Sequence, residues 1–522
     1  MKGYINADIW KRKETAFLIE DGVFQQFGTN EEIEEHLSSQ DELIDLNGAF
    51  VIPGFTDSHM HLLEYGHYLN HVQLAGCRSI DDVLARIRGR LESEEPVDWI
   101  LARGFNEEEF DHPEMPDKQM LDNLSRNVPI CLTRVCGHKM VCNSKALQLA
   151  GIEADSEIEG GRIDFEHGLL EETALNVMHQ AWPEETIDSL KQAILKGASA
   201  ANRYGITSVG SDDFLSVTKD WRKVLDAFLQ LSYQQKLTVR VNEQCEFDSP
   251  EELAGFLDEG YTTDVGDDLF RIGPLKMVTD GSLGARTAAL SEPYTDAKDT
   301  RGYPIYTKAE LRTYLELANR YNMPAICHAI GDKALNQVLD LYKDLVLPGN
   351  PLHYGIVHCQ IMTPEQIQKV LDQNLVCYFQ SLFIDSDAKI LKQRVGEKRA
   401  ASSYPFRTLY EGTLACNGSD APVETPDPLK GIQLAVTRTS LDGSASMNPK
   451  ECMSVEEALT SYTEKGPEAF FSEHTGKLET GYHADFAVLE KNILNIPAET
   501  ISQVRVLMTV LGGEEVYEVS KN

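Results

Sequence analysis

From residue 51 to residue 420 the chain repeats one pattern. A short apolar run ends in one or two polar residues, and a stretch with apolar positions three and four apart follows. The runs are VIPGFTDSH (51–59), GITSVGS (205–211), TVRVNEQ (238–244), IGPLKMVTD (272–280), MPAICHAI (323–330), YGIVHCQ (354–360), LVCYFQ (375–380) and TLACNGSD (413–420). Helix-period segments such as KAELRTYLELANRY (308–321) and DKALNQVLDLYKDLV (332–346) separate them. Strands alternating with helices predict parallel pairing, and eight of them predict an α/β fold, a closed (β/α)8 barrel of the TIM type. A doubly wound open sheet is the alternative.

The spacing is uneven. About 145 residues separate the first two runs, whereas a strand–helix–strand unit needs about 30. An α/β insertion over 62–170 is therefore expected after the first barrel strand. The ends of the chain differ from the middle. TAFLIEDGVFQQFG and ELIDLNGAFVIPG near the start, and ADFAVLE and VRVLMTVLGGEEVYEV near the end, alternate as strands do around Asp-Gly and Asn-Gly turns. Neither end has strands enough for a stable sheet alone. The expected organisation is a barrel over 53–469 and a small β-sandwich built from 1–52 and 470–522.

The 522 residues carry a formal net charge of -35. Such an acidic surface excludes nucleic acid and anionic membranes as natural partners, because phosphates call for Lys and Arg. No run approaches the ~20 apolar residues that span a bilayer, and the first residues lack the apolar core of a signal peptide. A cytoplasmic protein is expected, acting on a small molecule, with homo-oligomerisation left open. The ten cysteines form no CxxC pair, which favours buried, reduced thiols.

The polar residues that stop the runs carry the chemistry. Side chains at the C-terminal ends of barrel strands face the pocket. His59 and His61 end the first strand, Lys276 interrupts the fourth, and His328, His358 and Asp420 end the fifth, sixth and eighth. Alternate residues of a strand share a face, so His59 and His61 can approach one ion. Nitrogen and oxygen donors of this kind suit one or two divalent cations, Zn²⁺ foremost. Lys276 sits in an apolar strand where an unpaired charge is costly. Three states fit it: a carbamate bridging two metals, a salt bridge to Asp280, or a lone ligand. Asp420 is expected to hold the more buried metal and to act as general base.

With these residues in place, the chain resembles the amidohydrolase superfamily of metal-dependent hydrolases, and within it the branch of N-substituted formamide deformylase. The motifs are PGFTDSHMHL, KMVTDGSLGARTAAL, HAIGDKAL, IVHCQ, NGSDAPVETPDPLKGI and GKLETGYHADFAVLE. The resemblance implies His59, His61 and Asp420 on one metal, His328 and His358 on the other, and Lys276 as a bridge. It implies hydrolysis of a small amide, formamide-like or cyclic, by metal-activated water. Deamination, ester or lactone hydrolysis at the same site, and a barrel that binds without catalysis, are the alternatives. His138, Asp280, Arg286 and Arg438 are candidates for shaping the substrate pocket.

Overall fold

In the computed structural model, which describes residues 1–93 and 98–519, the run at 50–60 is two strands rather than one. Phe50–Pro53 joins a terminal sheet, and Phe55–Met60 begins the barrel. Pro53 and Gly54 cause the change. Proline removes a ladder donor, and a Cβ on Gly54 would lie 2.1 Å from Thr207 Oγ1, so only glycine fits between the two sheets.

The barrel strands are β1 (Phe55–Met60), β2 (Ile206–Ser211), β3 (Arg240–Cys245), β4 (Phe270–Val278), β5 (Ala325–Ala329), β6 (Gly355–His358), β7 (Val376–Phe379) and β8 (Ala415–Asn417). They lie in chain order in one all-parallel sheet. Two backbone bonds beyond the strand ends draw β8 to β1: Asp420 N–H donates to His59 O at 2.8 Å, and His61 N–H donates to Ala421 O at 2.8 Å. The sheet is thus a nearly closed TIM-type barrel, and the open-sheet alternative falls away. Both faces of the strands are covered, which is why they read as apolar runs without alternation.

The outer helices follow from the predicted period. Lys308–Arg320 starts at Thr307, whose capping box with Glu310 satisfies free amides of the first turn. Its buried positions, Leu311, Tyr314, Leu315 and Ala318, recur at the three- and four-residue spacing of one helix face. The helix Asp332–Leu345 buries Leu335, Val338, Leu339 and Tyr342 in the same way.

Residues from both termini build two further sheets. One runs Val23–Gly28, Ala16–Glu20, Lys2–Ile5, Glu42–Asp45, and the other Asp8–Ile9, Phe50–Pro53, Phe486–Leu489, Val506–Leu511, Glu514–Glu518. A common core holds them, with Tyr4 stacked on Phe17 at 4.9 Å and both edge-on to Phe486. Residues 520–522 of the expected terminal domain lie outside the described residues.

Gly66–Thr186 forms a compact unit of its own, where the insertion was expected over 62–170. It contains a mixed six-stranded sheet, ordered Gly161–Asp164, Leu169–Glu172, Lys139–Cys142, Ile130–Arg134, Ile100–Phe105, Val72–Gln73. Two apolar clusters cover it, one around Ile130 and Leu132 and the other around Cys131 and Met140. All ten thiols are free and eight are buried. No helix among the described residues is long and apolar enough to cross a membrane.

Candidate metal centre

The C-terminal ends of the barrel strands gather the six residues singled out in the sequence around one cavity of about 580 Å³. His59, at the end of β1, is fully buried, and its Nε2 has no hydrogen-bond partner. Asp420 Oδ1 stands 3.4 Å from His59 Nε2 and 3.4 Å from His61 Nε2. The ligand atoms of these three residues all lie within 4.8 Å of one another. An orphaned imidazole nitrogen is costly to bury, and this one converges with the His61 nitrogen on a carboxylate oxygen, the donor set of a divalent cation. The residues fit a metal.

A second pair adjoins the first. The rings of His328 and His358 are 4.5 Å apart, and that of His358 is 5.7 Å from His59. His358 and Asp420 adopt left-handed backbone angles, φ 80° and φ 62°, which side chains bearing a Cβ seldom adopt. Both are held in that conformation at the rim of the cavity.

At His59, His61 and His358 the Nδ1 nitrogen meets a fixed oxygen. His59 Nδ1 lies 2.5 Å from Gln244 Oε1, His61 Nδ1 2.6 Å from Asp212 O, and His358 Nδ1 2.8 Å from Gln380 Oε1. His328 Nδ1 stands 3.1 Å from Asp280 Oδ1 but forms no hydrogen bond with it. Burial pushes the His59 and His358 pKa values down, the second to about 3, with the neighbouring cations adding to the effect. Burial also lowers that of His61, but the bond to Asp420 and the charge of Asp212 outweigh it and raise it to about 10. Burial raises the Asp420 carboxyl, and the three imidazoles reverse this, leaving it below the usual carboxylate range.

Lys276 points into the same cavity, 2 % exposed, and its Nζ donates to Asp212 Oδ2 at 2.9 Å. Its salt-bridge partner is Asp212, not Asp280. Burial lowers the amine's pKa, and Asp212 and Glu246 raise it above its ordinary value.

Of the four candidates for shaping the pocket, Asp280 lines the cavity. Its oxygens accept from the backbone amides of Ala289, Ile330 and Gly331 at 2.8, 3.1 and 2.8 Å, so it ties the loops after β4 and β5 together. Arg286 and Arg438 are not among the described lining residues. Arg286 pairs with Asp296 at 2.9 Å. Arg438 is 1 % exposed, stacks over Phe406 and donates to Tyr404 O at 3.1 Å. His138 belongs to the inserted unit, where it is exposed and lies 3.0 Å from Glu172. Gln244, Gln380 and Asp212 were not singled out in the sequence. Their signal was the one that marked the histidines, a polar residue where an apolar run stops.

Comparison with known proteins agrees with this architecture. The family model described as "Amidohydrolase family" matches residues 42–517. The chain belongs to the amidohydrolase family. It is 32% identical to the putative amidohydrolase YtcJ of Bacillus subtilis, over 97% of this chain and 96% of that protein. It is 24% identical to N-substituted formamide deformylase of Arthrobacter pascens, over 96% and 95%. An uncharacterised metal-dependent hydrolase of Pyrococcus horikoshii superposes with a TM-score of 0.79 at 28% identity, covering 95% of this chain and 99% of that one. This amidohydrolase is accordingly a metal-dependent hydrolase of amide-type or related carbon–nitrogen bonds, with a His-His-Asp metal site in its barrel.

Proposed function

We propose that this amidohydrolase hydrolyses a small, uncharged, non-peptide amide, and that it does so with one or two zinc ions. The convergence of His59, His61 and Asp420 within 4.8 Å carries the reading. These three residues would hold one ion, and His328 and His358 the other. A bound divalent ion supplies Lewis-acid polarisation and lowers the pKa of water.

The chain's own residues supply the rest. Asp420, at the rim of the cavity, takes a proton from the attacking water and returns it to the departing nitrogen. Lys276 lines the same cavity as the four histidines and is the candidate carbamate. Its ammonium would lose one proton, and the amine would form a bond to the carbon of CO₂ and release a second proton to solvent, giving a carbamate that could serve as a metal ligand in place of the Asp212 ion pair. A nearby dication favours that loss of a proton, as like charges always do.

The cavity walls support the choice of substrate. Val278, Leu283, Ile305, Ile330, Phe383 and Val423 line it, a surface suited to an apolar substituent. Apart from the imidazoles, Lys276 is the one cationic side chain among the described lining residues, and Asp212 already neutralises it. Away from the metal residues, a substrate carboxylate would face Asp387 and Glu424.

The test is a side-by-side assay of zinc-loaded protein on N-substituted formamides, cyclic amides, esters, lactones and aminopurines. Release of amine and acid from neutral amides is expected. Dominant ammonia release from an aminopurine, or turnover of esters and lactones alone, would replace the amide reading.

A further inference from the structure

A histidine ligates a cation through a ring nitrogen that carries a lone pair, so the proton of the neutral ring must sit on the other nitrogen. At His59 and His358 the structure shows what decides its place. Gln244 turns its oxygen to His59 Nδ1 at 2.5 Å, while its amide nitrogen donates to Ser58 O at 3.0 Å. Gln380 repeats the arrangement, with oxygen to His358 Nδ1 at 2.8 Å and nitrogen to Tyr378 O at 3.2 Å. A backbone carbonyl only accepts, so it claims the NH₂ end of each amide and leaves the oxygen end to the ring. A flipped amide would set two acceptors against each other. Both glutamines are fully buried, so water does not replace either bond.

The packing protects this link. A Cβ on Gly210 would lie 2.5 Å from Gln244 Nε2 and 2.5 Å from Ser58 O. The glycine in SVGS thus clears the space that the Gln244–Ser58 bond occupies. His61 reaches the same end by a different route, since its Nδ1 faces the backbone oxygen of Asp212, which no side-chain substitution removes.

We propose that Gln244 and Gln380 are positioning residues of the metal centre: they hold the proton of His59 and His358 on Nδ1 and thereby set the centre's metal affinity. The proposal rests on the reading of these histidines as metal ligands. Residues that orient metal-bound histidines from behind change affinity by about 10- to 100-fold when removed.

The experiment measures Zn²⁺ affinity by chelator competition, and the visible spectrum of the Co²⁺-substituted protein, for the wild type and four variants. Gln244→Met and Gln380→Met keep the side-chain length and lose the acceptor. Gln244→Glu and Gln380→Glu keep an acceptor for Nδ1, and a protonated second oxygen can still donate to the backbone carbonyl. The Met variants are expected to bind Zn²⁺ about 10- to 100-fold more weakly and to shift the Co²⁺ bands, and the Glu variants to recover most of the affinity. If Gln244→Met does not fold, Gln380→Met carries the same test at the other pair. Met variants within twofold of the wild type, or Glu variants as weak as the Met variants, overturn the proposal. A wild type that binds no metal tightly overturns the metal-centre reading itself, a result distinct from either.

Discussion

Lys276 Nζ and Asp212 Oδ2 form a 2.9 Å ion pair in which each side chain is only 2 % exposed. Asp212 also offers its backbone oxygen to His61, so one residue holds a cavity histidine and neutralises the cavity's lysine. Removing one partner of such a pair leaves an unpaired buried charge, which costs about 3–5 kcal/mol. Lys276→Met is expected to destabilise the metal-free protein by about that amount, and adding Asp212→Asn to restore most of it. Urea unfolding of both single variants and the double variant checks the coupling. Equal and additive losses would show that the pair carries no such energy.

The carbamate has its own signature. Zinc-loaded protein prepared in ¹³C-bicarbonate is expected to show one carbamate carbon by NMR, absent from Lys276→Met, and to hold more zinc than protein loaded without CO₂. Indifference of metal content to bicarbonate would leave Lys276 as the ammonium paired with Asp212.

Asp420 should separate binding from turnover. Asp420→Asn retains an oxygen near His59 and His61 but accepts no proton, and loss of a general base lowers kcat by about 10²- to 10⁴-fold. The rate is to be expressed per bound metal ion. A per-metal rate near that of the wild type would assign the proton transfer elsewhere.

Asp387 makes stability depend on pH. Burial raises its carboxyl to about 6, against the smaller opposing effect of the Tyr404 hydroxyl bond, whereas an unfolded Asp titrates at about 3.9. Between these values the folded chain binds more protons than the unfolded one, so stability falls as pH rises from about 4 to 6 and stays lowered above that. Asp387→Asn mimics the protonated form. It is expected to be more stable than the wild type at pH 8, by up to about 3 kcal/mol, and to match it near pH 4. The urea midpoint at both pH values tests this, and an equal difference at both would contradict it.

A bidentate pair joins the barrel to the terminal sheets. Arg240 in β3 donates to both oxygens of Asp485, at 2.7 and 3.1 Å, and Gly512 N–H donates to Asp485 as well. Asp485 is 1 % exposed. Asp485→Ala should cost about 3–5 kcal/mol of stability with little change in metal content. A drop in thermal midpoint with zinc binding retained is the expected outcome, and an unchanged midpoint would contradict it.

The barrel was legible because parallel strands buried on both faces read as apolar runs, and the residues around its cavity because a histidine or aspartate at the end of such a run stands out. Gln244 and Gln380 stood at equivalent places, yet an uncharged amide at a strand end resembles any polar stop. Their importance lies in which end of the amide faces the ring, and neighbouring backbone carbonyls decide that. Arg438 stood out for the opposite reason. A charged residue suggests a substrate clamp, and the side chain lies buried beside the Phe406 ring, its Nε and Nη2 donating to Met447 O and Tyr404 O while Nη1 has no hydrogen-bond partner. The sheet of the inserted unit depends on pairings such as Val72 with Ala102 and Gly161 with Glu172, which hydrophobic periodicity does not reveal.

The central claim is that His59, His61 and Asp420 hold a divalent cation on which hydrolysis depends. Zinc content after chelation and reloading, measured on the wild type and on His61→Ala by elemental analysis, tests it most directly. At least one tightly held equivalent per chain is expected in the wild type, and its loss from the variant. A wild type that retains less than one equivalent, or a variant that holds as much zinc as the wild type, would contradict it.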